Sequence, residues 1–168
     1  QTHTFELRAD NGGNNRTLKL ESGEINRNDN GGMVWIGANA SSSGIMTLET
    51  DASSFQIDVD PGNTMRLEAV VSGAGKGLTK TGNGGVRMYG SQANTYTGLT
   101  THSQGSLQLW KDDNVTSIPG DFVISRPVQI RTDEQIADTA AVELAGSRVE
   151  LYDITETIGT LELSATTE

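Results

Sequence analysis

Apolar residues in this chain recur as pairs separated by one position, the spacing that places two side chains on the same face of an extended strand. Five such pairs, Met65/Leu67, Val86/Met88, Leu107/Leu109, Val128/Ile130 and Val149/Leu151, follow one another at intervals of 21 residues. In a chain that is 34% hydrophobic, ten apolar positions in one fixed register arise by chance about 2 × 10⁻⁵ of the time, roughly a few per cent over about a thousand registers. A second ladder runs through Ile57/Val59, Leu78, Leu99, Phe122/Ile124, Val142/Leu144 and Leu161/Leu163 at intervals near 21. Toward the N-terminus, Leu18/Leu20 and Met46/Leu48 extend the first ladder, and Phe5/Leu7 and Val34/Ile36 extend the second. Their wider spacing implies longer loops at RADNGGNNR and NRNDNGGM.

A rung of two or three short strands cannot bury its inward residues alone. Stacking rungs at about 4.8 Å merges each pair into a continuous apolar column, so the pattern predicts a β-solenoid of about 21 residues per rung, roughly 30 to 35 Å long. Gly82, Gly84, Gly85, Gly98, Gly105 and Gly120 fall between pairs, where corners need positive φ or close backbone approach. Pro61, Pro119 and Pro127 stand at or beside strand starts, where a missing donor is tolerated. Short strands at regular spacing also suit a β-sandwich, but a sandwich has no need for like residues to recur in columns. DEQIADTAAVEL has room for one helical turn on a loop. The expected organisation is a single domain over residues 1–168, with irregular rungs over 1–64 and regular ones over 65–163.

Leu78-Thr79-Lys80-Thr81-Gly82, Asn94-Thr95-Tyr96-Thr97-Gly98 and Gly105-Ser106-Leu107-Gln108-Leu109 stand in an order and spacing that resembles the autotransporter-associated β-strand repeat. The later EQIADTAAVEL and ETIGTLEL are similar to stretches that follow that unit, and the first sixty or so residues match it only in rhythm. Leu99 departs from the glycine common after the turn, and Met88-Tyr89 from the usual small-polar alternation. The resemblance implies an all-β, right-handed parallel β-helix in a large exported bacterial surface protein, where such units serve secretion, stacking and display. It implies no catalytic residues.

Composition narrows the function classes. With 12 basic against 22 acidic residues and a formal charge of −10, the chain lacks the clustered cations that nucleic acids and anionic membranes require. The absence of cysteine removes disulfides and thiolate chemistry, and suits export through an oxidising compartment as well as the cytosol. No apolar run reaches the ~18 residues of a membrane helix. Opening on Gln1 without a signal-peptide pattern, the chain reads as a processed or excised piece of something longer.

The residue after each first-ladder pair falls on the outer face, and Tyr89, Trp110, Arg131 and Tyr152 recur there 21 apart. They are expected to form an exposed stack with an arginine between rings, each cation–π contact contributing about 0.5 to 1 kcal/mol. Such a stack serves either as a surface for a glycan or protein or simply as a stabilising ladder. Asp58 and Asp60 flank Val59 and point outward together, near Asp51 or Glu68, the paired carboxylates that a calcium-assisted lyase or an acid hydrolase on a β-helix needs. No basic partner is evident for them. DNGGNN and NDNGG offer oxygen ligands for Ca²⁺ without the calcium-binding nonapeptide spacing, and Asx-rich turns account for them equally. His3 and His102 lack neighbouring ligands and read as surface residues, so no metal site is expected. No nucleophile elbow, P-loop or dinucleotide fingerprint appears. Three Asn-x-Ser/Thr triplets, at Asn15, Asn39 and Asn114, fit a chain rich in Asn and Thr.

The resulting expectation is a non-enzymatic repeat segment of a secreted or cell-surface protein of a Gram-negative-type bacterium, acting as stalk, adhesin or fibre. Its partners are further rungs of the same protein or other copies, with glycans or host surface proteins as further candidates. The alternatives are a β-helix that binds or cleaves acidic polysaccharides, and a passenger unit whose stacking drives export across the outer membrane.

Overall fold

The computed structural model describes residues 5–9, 13–28, 33–37 and 44–165. Its short strands advance around a triangular coil. The first rung holds β1 (Phe5–Leu7), β2 (Arg16–Leu20) and β3 (Glu24–Arg27), and the second β4 (Met33–Ile36), β5 (Met46–Thr50) and β6 (Ser54–Val59). The third holds β7 (Thr64–Leu67), β8 (Val70–Gly73) and β9 (Gly77–Thr81), and the fourth β10 (Gly85–Met88), β11 (Thr95–Tyr96) and β12 (Thr100–His102). Then come β13 (Ser106–Leu109) with β14 (Phe122–Ile124), β15 (Val128–Ile130) with β16 (Ala141–Ala145), and β17 (Val149–Leu151) with β18 (Thr160–Ser164). On the third face of these later rungs only an Ile118–Ile136 bridge continues the pairing.

Every named strand pairing is parallel, and the strands gather into two seven-stranded sheets and one of four. The molecule is a parallel β-helix. In the first sheet the register sets Phe5, Val34, Met65, Val86, Leu107, Val128 and Val149 in one column and Leu7, Ile36, Leu67, Met88, Leu109, Ile130 and Leu151 in the next. Phe5 to Val34 spans 29 positions and Val34 to Met65 spans 31, against 21 for each later step. From Met65 to Ile130 these inward side chains are at most 1% exposed.

The structure corrects the ladders at several points. Phe5/Leu7 and Val34/Ile36 belong to the first ladder, and Leu18/Leu20 and Met46/Leu48 to the separate sheet formed by β2, β5, β8 and β11. The unequal early rungs hide this, because loop length shifts a pair along the chain without moving it off its face. In the second seven-stranded sheet the column is Phe55, Leu78, Thr100, Phe122, Val142 and Leu161, so Thr100 points inward and Leu99 outward at 48% exposure. Thr100 fits there because its hydroxyl meets the buried Tyr96 hydroxyl at 2.7 Å. Its neighbour column, Ile25, Ile57, Lys80, His102, Ile124, Leu144 and Leu163, contains two basic side chains. DEQIADTAAVEL holds no helix; it makes the Ile136 bridge, a turn and the start of β16.

Corners are tight enough to require glycine at particular places. Gly105 has φ 73°, and a Cβ there would lie 2.1 Å from the carbonyl oxygen of Gly84 on the preceding rung. Gly98 and Gly120 lie over each other at another corner, where a Cβ on Gly120 would meet the Gly98 oxygen at 2.6 Å.

Because the columns carry the fold, Leu109→Ala should cost about 2–5 kcal/mol, whereas Leu99→Ala should stay within about 0.5 kcal/mol. Urea midpoints of the two variants measure this, and an equal loss from both would put Leu99 back inside the coil.

Candidate functional site

On the outer face of the first sheet, Tyr89, Trp110, Arg131 and Tyr152 lie on successive rungs because each directly follows an inward residue of the 21-residue column. Tyr89 and Trp110 stack with centroids 5.2 Å apart and planes at 28°. The Arg131 guanidinium carbon lies 5.5 Å from the Trp110 ring and 3.7 Å from the Tyr152 ring. Two further residues lengthen the stack: Arg66 sits 3.8 Å from the Tyr89 ring and 4.9 Å from the Trp35 ring. Arg66 and Trp35 occupy the middle position of their pairs, opposite each other in register. Tracking only the position after each pair misses them, since it takes the length of an arginine to cross between columns.

The order is therefore Trp35, Arg66, Tyr89, Trp110, Arg131, Tyr152. Tyr89 is flanked by Arg66 from one rung and Trp110 from the next, and Trp110 by Tyr89 and Arg131. Their broad faces are thus covered by neighbours, which leaves ring edges to solvent rather than flat surfaces on which a sugar could lie. Glu68 draws the Arg66 guanidinium into an ion pair at 2.5 Å. Beside the stack, the Gln108 amide donates to Gln129 (2.7 Å), whose amide donates to Glu150 (2.9 Å) and to the Tyr152 hydroxyl oxygen (3.0 Å). Those donors, Gln129 first and then Arg148 and Tyr152, hold the Glu150 carboxyl below its usual range.

The outward carboxylates do not assemble. Asp58 accepts a hydrogen bond from the Thr81 hydroxyl at 3.0 Å, Asp51 pairs with Lys19 at 2.7 Å, and Glu68 pairs with Arg66 on a different sheet. Contrary to expectation, a basic group does lie near Asp58: its charge acts on the buried Lys80. Among the described residues no three His, Cys, Asp or Glu side chains are placed to hold a metal ion. Much of DNGGNN and NDNGG, with His3 and Asn39, lies outside the described residues. Asn15 accepts from the Ile45 amide at 3.1 Å, and Asn114 is exposed in a left-handed turn with φ 62°.

The less legible chemistry is inside. Lys80 is buried with its ammonium donating to the corner carbonyls of Thr81, Gly82 (2.8 Å) and Gln104 (3.2 Å). Lys111, equally buried, donates to the Tyr89 carbonyl at 3.0 Å beneath the stack. Burial pushes both ammonium groups down to about 8, partly opposed by Asp58 for Lys80 and by Glu68 and Asp112 for Lys111. On the third face, Asn94 accepts from the Val71 amide and donates to the Ser117 carbonyl. Ser117 and Gln135 then meet side chain to side chain at 2.7 Å, and Glu156 takes the Gln135 and Ile136 amides. This polar column adds side-chain bonds to the main-chain ones that still join these rungs, such as the Ser117 amide to the Gln135 carbonyl at 2.7 Å.

His102 reverses its expected surface placement. It is fully buried in the inward column, and neither ring nitrogen closes a hydrogen bond. Burial first, then the Lys80 charge, pushes its pKa down to about 4, with the Arg126 charge adding to this and the backbone at Pro127 and Gly105 pulling the other way.

No family model matches the chain, and no curated protein or solved structure matches it.

A histidine held neutral in the fold stabilises it fully above its unfolded pKa of 6.5 and loses that contribution as pH falls toward about 4. The gap corresponds to roughly 3 kcal/mol. Glu156, raised to about 6 chiefly by burial, works in the opposite sense as it protonates, softening the fall. Denaturant titrations between pH 7 and 4 should show a decline that His102→Leu removes; a decline of the same size in that variant would clear His102 of the effect.

Proposed function

We propose that this chain is a non-enzymatic structural repeat segment of an exported bacterial surface or extracellular protein, a rigid spacer of the autotransporter-associated kind. The observation that carries this reading is the continuity of the inward columns. Val86, Met88 and their equivalents make one dry spine along the coil, so length and stiffness scale with the number of rungs rather than with any one site. The chemistry-bearing groups are turned to the same end. Lys80 and Lys111 satisfy backbone carbonyls, and the outer arginines brace aromatic rings.

Rung-by-rung stacking also suits a passenger unit, since each completed rung offers a template edge to the next segment to emerge. That is the same mechanical property used during export. The reading from a different class, binding or cleavage of acidic glycans through Asp58, Asp60 and the aromatic stack, makes an opposed prediction. On uronic-acid polymers, with calcium present, no unsaturated product should accumulate, and a glycan array should give no selective signal. Turnover abolished by Asp58→Ala would overturn the structural reading.

A further inference from the structure

Register sets like charges over each other on the outer face of the first sheet. Arg66 of β7 and Arg87 of β10 are direct partners, and Gln108 of β13 comes next in the column. The Arg66 charge is met by Glu68 at 2.5 Å and by the Trp35 and Tyr89 rings. That of Arg87 is not. All twelve Lys and Arg residues of the chain are among the described residues, and of these only Arg87 makes no hydrogen bond, ion pair or ring contact with another described residue. A half-buried guanidinium facing a second one, in a chain with 22 acidic residues that could have supplied a partner, is a charge with an acceptor missing. It stands on the fourth of seven strands of its sheet, with paired strands on both sides, so it belongs to the regular body of the coil rather than to an end.

Further donors converge beside it. Gly85 lies two residues before Arg87 on the same face of β10, between Thr64 and Ser106 on the neighbouring rungs. A Cβ at Gly85 would lie 2.8 Å from the Ser106 hydroxyl oxygen and 3.5 Å from that of Thr64, so the missing side chain lets two hydroxyls close in on one point from opposite sides. Neither hydroxyl makes a hydrogen bond with another described residue. Gln108 Oε1 is buried without a donor, an acceptor on the next rung for one Arg87 N–H that leaves the rest of the guanidinium for an anion. The donor set is then a guanidinium fork with two hydroxyls next to it. A carboxylate commits both of its oxygens to such a fork, whereas a tetrahedral oxyanion has further oxygens to offer the hydroxyls.

We propose that Arg87, with the Thr64 and Ser106 hydroxyls, binds a tetrahedral oxyanion, sulfate or phosphate, on the outer face of the first sheet. The site does not depend on the spacer reading and stands if that reading falls. NMR titration of the 168-residue chain with sodium sulfate, and separately with phosphate, should move the Arg87 Nε–H and Ser106 amide signals to saturation, while sodium chloride of equal ionic strength should not. Arg87→Gln should weaken binding about tenfold or more. Its melting temperature in chloride should not fall, because Arg87 makes no bond and faces Arg66, yet its rise on adding sulfate should be smaller than that of the wild type. The general salting effect of sulfate is common to both proteins and cancels in that comparison. Gly85→Ala keeps the charge but pushes the Ser106 hydroxyl aside, and should weaken binding about threefold or more. Acetate should bind about threefold or more weakly than sulfate. Methyl phosphate separates the sources: affinity equal to that of phosphate assigns an esterified group to the site, a loss of about tenfold assigns the free anion, and either result supports the site. Shifts that climb with sulfate without saturating, Arg87→Gln or Gly85→Ala binding as the wild type does, or acetate matching sulfate, overturns the proposal.

Discussion

Main-chain hydrogen bonding between consecutive turns of the coil is the constraint from which the rest follows. A parallel ladder fixes residue i over its counterpart one rung on, with no freedom to offset, so whatever occupies a position must tolerate its own kind above and below. For small hydrophobes this is favourable, because each buried side chain of the Val86 and Met88 columns gains about 1.5–3 kcal/mol from leaving water. For charges it is costly; Arg66 faces Arg87 and Glu143 faces Glu162 in register, and the Arg66 charge is met instead by Glu68 and by the rings of Trp35 and Tyr89.

That same rule decided what was legible in the sequence. The columns from Met65 to Leu151 were readable because every member is apolar and every step equal. The third face was not, since its inward residues run from Ala69 and Val71 to Asn94 and Tyr96, with no apolar alternation to detect. The second ladder slipped where polarity entered the core. Thr100 points inward because it bonds to Tyr96, so the more hydrophobic Leu99 drew the register one residue away from it. Lys80 and His102 were unreadable as core positions for the same reason: a ladder of hydrophobes has no place for them until corner carbonyls are seen waiting for the ammonium. The outer stack was legible over its four regularly spaced members and invisible at Arg66, which enters from another column.

The buried polar groups give the coil something that greasy columns lack. Apolar packing alone tolerates a rung displaced along its neighbour, whereas Asn94, Ser117, Gln135 and Glu156 each address a particular donor or acceptor on the adjoining turn. A slipped rung would strand those groups away from water, at a cost of about 1–3 kcal/mol each. The third face, poorest in strand pairing beyond β11, is where this column of side-chain bonds runs.

Bonds between turns point along the axis, and this settles how the molecule answers a pull on its two ends. Tension of that kind opens one seam at a time, as in tearing perforated paper, instead of loading all seams together. Each turn from Met65 onward that lets go frees 21 residues, roughly 70 Å of slack from a layer about 5 Å thick. A tether built of such regular turns lengthens many-fold in even increments at nearly constant load, and it recoils by winding the released chain back onto the edge that remains.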